Sequence, residues 1–257
     1  MPNDIDIDRN RLLEVLDDAR DLGFLGPDPV GRHVEHAFGF LSLWPPSPAC
    51  GGQEPPLAID LGSGGGVPGL VLASSLPAVR WRLLDSNRRR TKFLSYAVER
   101  LGLSSRVEVI AERAEIAGRS SLRGQAAVVV ARSFAPPAVT AECAAPLLAV
   151  GGYLLVAEPP GPPAGETSAD GFAPSEAFVD GPSGSAAGGL SSTETAPDRS
   201  LTTTQAGRWP PAGLALFGMV PDAEQTEPFA LRRFRQREAC PERYPRRVGV
   251  PAKRPLF

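Results

Sequence analysis

Residues Leu57 to Leu70, Leu-Ala-Ile-Asp-Leu-Gly-Ser-Gly-Gly-Gly-Val-Pro-Gly-Leu, constrain this chain more than any other stretch. Four apolar residues and one acid make a short buried strand. Four glycines between Gly62 and Gly66 make a loop, and Val67-Pro68-Gly69-Leu70 opens a helix with proline near its first turn. Glycines take positive φ and let the backbone come close to a ligand, so a nucleotide-like cofactor is the expected occupant. Two cofactor classes fit. Gly64-x-Gly66-x-x-Gly69 matches the dinucleotide fingerprint, with Asp85 at the end of the next strand to hold ribose hydroxyls. Asp60, two residues before Gly62, would oppose a phosphate across the loop. It suits a cofactor with a cationic amino-acid end, such as S-adenosylmethionine.

On either side of this motif, strand and helix patterns alternate. Arg9 to Leu22 is an amphipathic helix, and a second helix runs from near Pro29 to Trp44 before the Pro/Gly-rich linker Pro45 to Pro56. After the loop come a helix over Val67 to Leu76, a strand from Val79 to Leu84 ending in Asp85-Ser86, and a helix from Arg88 to Leu101 with a basic start. Further strands are expected at Arg106 to Ile110, Ala126 to Ala131 and Tyr153 to Ala157, with a helix at Pro137 to Leu148. Five alternations predict a doubly wound α/β sheet. Ala126 to Ala131 is apolar on both faces, as a central parallel strand should be. Arg132 follows it directly, where open α/β sheets keep their chemistry.

The pattern stops at Pro159. From there to Gly207 the chain is Pro, Gly, Ala, Ser and Thr with six acids and one arginine, a composition read as a disordered insertion. Beyond it, Leu214 to Val220 and Phe229 to Phe234 are expected as an antiparallel pair at the sheet edge. The expected organisation is a helical arm over 1–44, a main domain over 57–158 and 212–257, and the insertion over 159–208.

The net charge of −2 conceals a lopsided distribution. Met1 to Asp28 holds eight acids and three bases, and Leu231 to Arg254 nine bases and two acids. The segment around Tyr244, Arg246, Arg247, Lys253 and Arg254 is expected to be extended and cationic, suited to a phosphate backbone, with Tyr244 free to stack on a base. The three cysteines are far apart, which points away from a disulfide framework and toward a reducing cytoplasm. His33 and His36 lie one turn apart without a third ligand at recognisable spacing, so no metal site is expected. No Gly-x-Ser-x-Gly elbow suggests a hydrolase.

The glycine loop with Val67-Pro68-Gly69-Leu70, Leu83-Leu84-Asp85-Ser86, the Arg88-to-Phe93 stretch, Arg132-Ser133-Phe134 and the terminal Tyr-Pro-Arg-Arg-x-Gly-x-Pro-x-Lys-Arg-Pro-Leu together resemble the bacterial RsmG (GidB) family. The resemblance implies a Rossmann-like class I S-adenosylmethionine-dependent methyltransferase fold with a short N-terminal helical arm. It implies methylation of guanine N7 in 16S ribosomal RNA, on RNA or the small ribosomal subunit. It places cofactor contacts at Gly62, Val67, Ala114, Glu115 and Arg132, beside Asp60, Gly64 and Asp85 from the loop reading. Arg32 and His33 match the family's Arg-His pair before the fold and are expected to meet RNA. Where that family ends the strand after Ala149 in Lys-Gly, this chain has Glu158-Pro159. The alternatives are an inactive relative that binds cofactor and RNA and, more remotely, an NAD-dependent oxidoreductase. Because guanine N7 carries a free lone pair, no catalytic acid or base is required, and Arg132 is the nearest candidate for a catalytic group.

Overall fold

The structure is a computed structural model that describes residues 9–45, 55–159 and 207–257. Two helices come first, α1 (Arg9–Asp21) and α2 (Val30–Ser42). Then follow β1 (Leu57–Leu61), α3 (Gly69–Ser75), β2 (Arg80–Asp85), α4 (Arg88–Arg100), β3 (Val107–Ala111) and α5 (Ala114–Ala117). β4 (Ala126–Ala131), α6 (Pro137–Ala144) and β5 (Leu148–Ala157) complete the parallel part, with a short 3-10 turn between α6 and β5. The chain then forms α7 (Pro211–Ala215), β6 (Met219–Gln225), β7 (Leu231–Gln236) and α8 (Val250–Lys253).

The seven strands form one sheet in the order β3-β2-β1-β4-β5-β7-β6. β1 to β5 are parallel, and β7 runs antiparallel between β5 and β6. Period-two alternation splits the core between two faces. Ala58, Trp81, Leu83, Val128 and Val130 face α1 to α4. Ile59, Leu61, Leu84, Val129 and Leu154 face the layer of α6 and α7. The cavity lies at the carboxyl ends of the parallel strands.

Several elements depart from the sequence pattern for local reasons. The helix after the glycine loop starts at Gly69, because the loop itself occupies Val67 and Pro68. β5 begins at Leu148 instead of Tyr153, its Gly151-Gly152 pair lying in the strand where the register against β4 shifts. Leu214 belongs to α7, and the edge strand β6 starts later, at Met219, and accommodates Pro221 at the sheet edge. The segment after β7 is not extended. It is folded onto α5 and α6 and carries α8, because Arg119, Arg123, Glu142 and Glu115 bind its backbone and side chains. The acidic start of the chain, most of the linker with Cys50, and residues 160–206 of the expected insertion lie outside the described residues. Among the described residues no helix is long and apolar enough to cross a membrane.

Candidate cofactor pocket and its two flanks

The order of crossovers reverses between β1 and β4, which opens a crevice at their carboxyl ends. A cavity of about 300 Å³ lies there. Gly62 borders it after β1, Asp85 and Ser86 after β2, and Glu112 to Glu115 after β3. Arg90 of α4, Ser133 to Ala135 after β4, Val139 and Cys143 of α6 and Ala252 of α8 complete the wall.

Local chemistry fixes this shape. Gly62 has φ +75°, and a β-carbon there would stand 2.5 Å from the Phe134 ring, so only glycine admits both the turn and the aromatic wall. Ser133 holds φ +53°, an uncommon conformation for a residue with a side chain, at the point where β4 turns into the pocket. Asp85 orders two neighbouring loops. Its Oδ2 accepts from the Gly64 N–H at 2.9 Å and its Oδ1 from the Asn87 N–H at 2.8 Å. Each oxygen keeps a further acceptor site for a hydroxyl. Asn87 then caps α4 by accepting from the Arg89 and Arg90 N–H groups, which offsets the cationic first turn.

The expected cofactor residues separate into two groups. Gly62, Asp85, Ala114 and Glu115 line the cavity, whereas Asp60, Gly64, Val67 and Arg132 do not. Asp60 is 1% exposed on the opposite face of β1, and its Oδ2 accepts from the Gly69 N–H at 3.0 Å. It clamps the start of α3 to the sheet, and so does not face a ligand. Burial pushes its carboxyl up to about 7, against the opposing pull of the Gly69 N–H, the Ser63 hydroxyl and Arg132. Val67 is packed in the core beneath the loop. Gly64 acts through its N–H on Asp85.

Arg132 leaves the end of β4 toward the N-terminal helices. Its Nη1 donates to His33 Nδ1 at 3.3 Å, and the other ring nitrogen, Nε2, stands 3.2 Å from the Gly26 carbonyl oxygen. A guanidinium only donates, so Nδ1 accepts and the ring proton sits on Nε2. Burial lowers the Arg132 pKa, while Asp60 and Asp28 act to raise it. His33 is therefore a buried link between α2 and β4, and its expected RNA contact is corrected: both ring nitrogens are already engaged. His36 on the same helix is driven down to about 4 by burial, then by Arg132 and His33. The connection between α1 and α2 also rests on the glycine loop. A β-carbon on Gly65 would meet the Leu25 side chain at 2.7 Å.

On the far side, the C-terminal segment is bound by charge. Arg246 donates to both oxygens of Glu142, through Nε at 2.8 Å and Nη2 at 2.6 Å, and Glu142 also accepts the Arg246 N–H. Glu142 is 1% exposed. Arg119 holds the Pro245 carbonyl, and Arg123 those of Tyr244 and Cys240. Glu115 accepts from the Gly249 N–H at 2.8 Å and from Arg113 at 3.2 Å. Burial raises its pKa, and these donors outweigh burial and leave it below the usual carboxylate range.

Two more expected RNA contacts are thereby corrected. Tyr244 is 6% exposed and stacks edge-on against Phe217 at 4.8 Å, so its ring has no free face for a base. Arg246 is committed to Glu142. Arg32, Arg247, Lys253 and Arg254 are exposed. Phe134, Ser133 and Ala252 are pocket residues that the sequence reading did not single out. The first two lay within the Arg132-Ser133-Phe134 motif, and Ala252 carries no local signal. Cys143 at the pocket wall is no nucleophile, since burial and then Glu115 and Glu142 push its thiol up to about 12. At the end of β5, Glu158 is met by Arg208 at 2.8 Å and by the Trp209 indole N–H, so a cation does stand beside that strand end.

A five-stranded parallel sheet extended by an antiparallel β7 between β5 and β6, with its pocket at the glycine loop, defines the Rossmann-like class I methyltransferase fold. The family model "rRNA small subunit methyltransferase G" matches residues 45–158. Ribosomal RNA small subunit methyltransferase G of Synechococcus sp. is 35% identical over 218 residues, 84% of this chain and 78% of that protein. The protein of the same name from Prochlorococcus marinus is 45% identical over 119 residues, 46% of this chain and 48% of that one. A solved structure, the antibiotic-resistance methyltransferase Kmr, is similar at 13% identity and a TM-score of 0.46, over 71% of this chain and 88% of that one. The chain belongs to the ribosomal RNA small subunit methyltransferase G family.

Proposed function

We propose that this protein transfers a methyl group from S-adenosylmethionine to N7 of a guanine in 16S ribosomal RNA. The observation that carries the reading is the pocket at the carboxyl ends of β1 to β4, in a chain 35% identical to its Synechococcus relative. Its donor set fits an adenosyl cofactor. Asp85 has acceptor capacity left for ribose hydroxyls, the Gly62 turn admits the Phe134 ring as an aromatic wall, and Ala114 with Glu115 borders the position of a base. Arg90 and Arg113 on the cavity wall are the cations for an anionic end of the ligand, while Arg132 stands outside the lining, engaged with His33.

S-adenosylmethionine supplies an electrophilic methyl group on a sulfonium. Guanine N7 needs no deprotonation, so the protein's contribution is to align the reacting atoms and keep water out. This agrees with a pocket whose one thiol is held protonated and whose acids are engaged in hydrogen bonds. The exposed cations Arg32, Arg247, Lys253 and Arg254 flank the RNA path, in the cytoplasm where such a substrate resides. In this reading residues 1–44 form the arm, and 57–158 with 212–257 the methyltransferase domain. The test is tritiated methyl transfer from S-adenosylmethionine to 30S subunits lacking the modification, with nucleoside analysis. Labelled 7-methylguanosine is expected. Label in another nucleoside, or cofactor binding without transfer, would refute the assignment.

A further inference from the structure

The C-terminal segment does two things at once. It carries the exposed cations Arg247, Lys253 and Arg254, and through Ala252 it forms part of the wall of the cofactor pocket. Its attachment is uneven along its length. Tyr244 to Arg246 is bound by Arg119, Arg123 and Glu142, all on or beside α5 and α6. Beyond Arg246 the segment is held by Arg246 on the Arg254 carbonyl and by Phe257 against Phe217, and the hydrogen bond that joins it to the pocket lining is the Gly249 N–H donated to Glu115. Gly249 stands at φ +78° and opens α8, so its orientation sets where Ala252 falls. Glu115 itself borders the pocket. A buried carboxylate thus spans from the cavity to the segment that presents the cations.

We propose that Glu115 is a positioning residue: by holding Gly249 it sets Ala252 as a pocket wall, so that filling the pocket with an adenosyl cofactor fixes the segment bearing Arg247 and Lys253. The inference rests on the cofactor reading above. If the cofactor favours the closed arrangement of the segment, that arrangement favours the cofactor by the same factor. The cations that face RNA would then be best ordered when the methyl donor is present, and the protein would meet its RNA as the loaded form.

The test uses the full chain and S-adenosylhomocysteine, which fills the site without turnover. Amide exchange is followed over residues 243–257 with and without the analogue, and affinity is measured by calorimetry. In the unaltered protein the analogue should slow exchange of this segment. Glu115→Gln keeps an acceptor oxygen for Gly249 and should retain the protection that Glu115→Leu loses. Glu115→Leu should lose the protection and bind about tenfold more weakly. Should Glu115→Leu melt early, Ala252→Trp, an exposed site, gives an independent reading: a larger side chain at the wall should weaken the analogue about tenfold while the melting temperature holds. Analogue binding that leaves exchange of 243–257 unchanged, or full affinity in Ala252→Trp, would overturn the inference and leave the cofactor reading intact. No binding by the unaltered protein would overturn the cofactor reading, and this inference with it.

Discussion

The pocket is braced from outside by two segments that precede and follow the parallel sheet, and they do it by opposite means. The N-terminal arm touches the glycine loop with Leu25 and reaches Arg132 through the His33 ring. The C-terminal segment is bound by ion pairs and by arginines on backbone carbonyls. On the first flank, burial works against charge: Asp60 is raised, and Arg132 and His36 are lowered. On the second, charge is matched, with Arg246 raised by its hydrogen bonds to Glu142 and Glu115 lowered. The arm should therefore answer to pH, and the C-terminal segment to loss of a partner.

The largest effect is expected on the matched flank. Arg246→Ala would leave Glu142 buried without its cation, and breaking such a pair typically costs about 3–5 kcal/mol. Arg247→Ala, one residue along and exposed, should change stability by less than about 0.5 kcal/mol. Urea unfolding of the two variants is the measurement. Equal effects would mean that the tail's arginines are interchangeable surface charge and that the matched flank does not exist.

These two arginines also show where sequence reading stops. The glycine loop, the alternation and the antiparallel edge pair were legible because apolar periodicity and turn residues act locally, and Ala126 to Ala131 was delimited to the residue. Asp85 and Gly62 were legible for the same reason, since a strand end next to a turn has few places to be. Arg246 and Arg247 look alike in sequence, and what separates them is Glu142, 104 residues earlier on α6. His33 reads as an RNA-facing histidine until Gly26 and Arg132 take its two nitrogens. Asp60 reads as a ligand-facing acid because strand periodicity gives alternation but does not say which face is the pocket. Long-range partners, unlike periods, leave no mark on neighbouring residues.

Asp60 sharpens the pH side of the contrast. Its carboxyl sits near 7 when folded against an ordinary value of 3.8, so the folded state keeps a proton that the unfolded chain has lost. Stability from this group therefore falls as pH rises from about 4 to 7, by a few kcal/mol at most. His36, held near 4 against 6.5, runs the other way: its contribution is present above about 6.5 and is lost as pH falls toward 4. Asp60→Asn keeps an acceptor for the Gly69 N–H and removes the titration. Its melting temperature relative to the unaltered protein should be higher at pH 8 than at pH 5. An identical difference at both pH values would show that Asp60 ionises freely and that the arm flank is not under electrostatic tension.

The smallest expected effect discriminates most finely, because it separates the two nitrogens of His33. In His33→Asn the amide oxygen can stand where Nδ1 accepts from Arg132, while the contact to Gly26 is lost. In His33→Gln the longer side chain reaches toward Gly26 and leaves Arg132 without its acceptor. If the arm serves the pocket by holding Arg132, and with it the Ser133-Phe134 turn that lines the cavity, affinity for S-adenosylhomocysteine should stay within about twofold in the asparagine variant. It should fall roughly tenfold in the glutamine variant, the worth of one hydrogen bond to a charged donor. If the arm acts only by tying its own loop down at Gly26, the order reverses. The glutamine variant then binds normally, and the asparagine variant loses both affinity and the packing of Leu25 on Gly65. Calorimetry on the pair tells holding Arg132 from tying the loop.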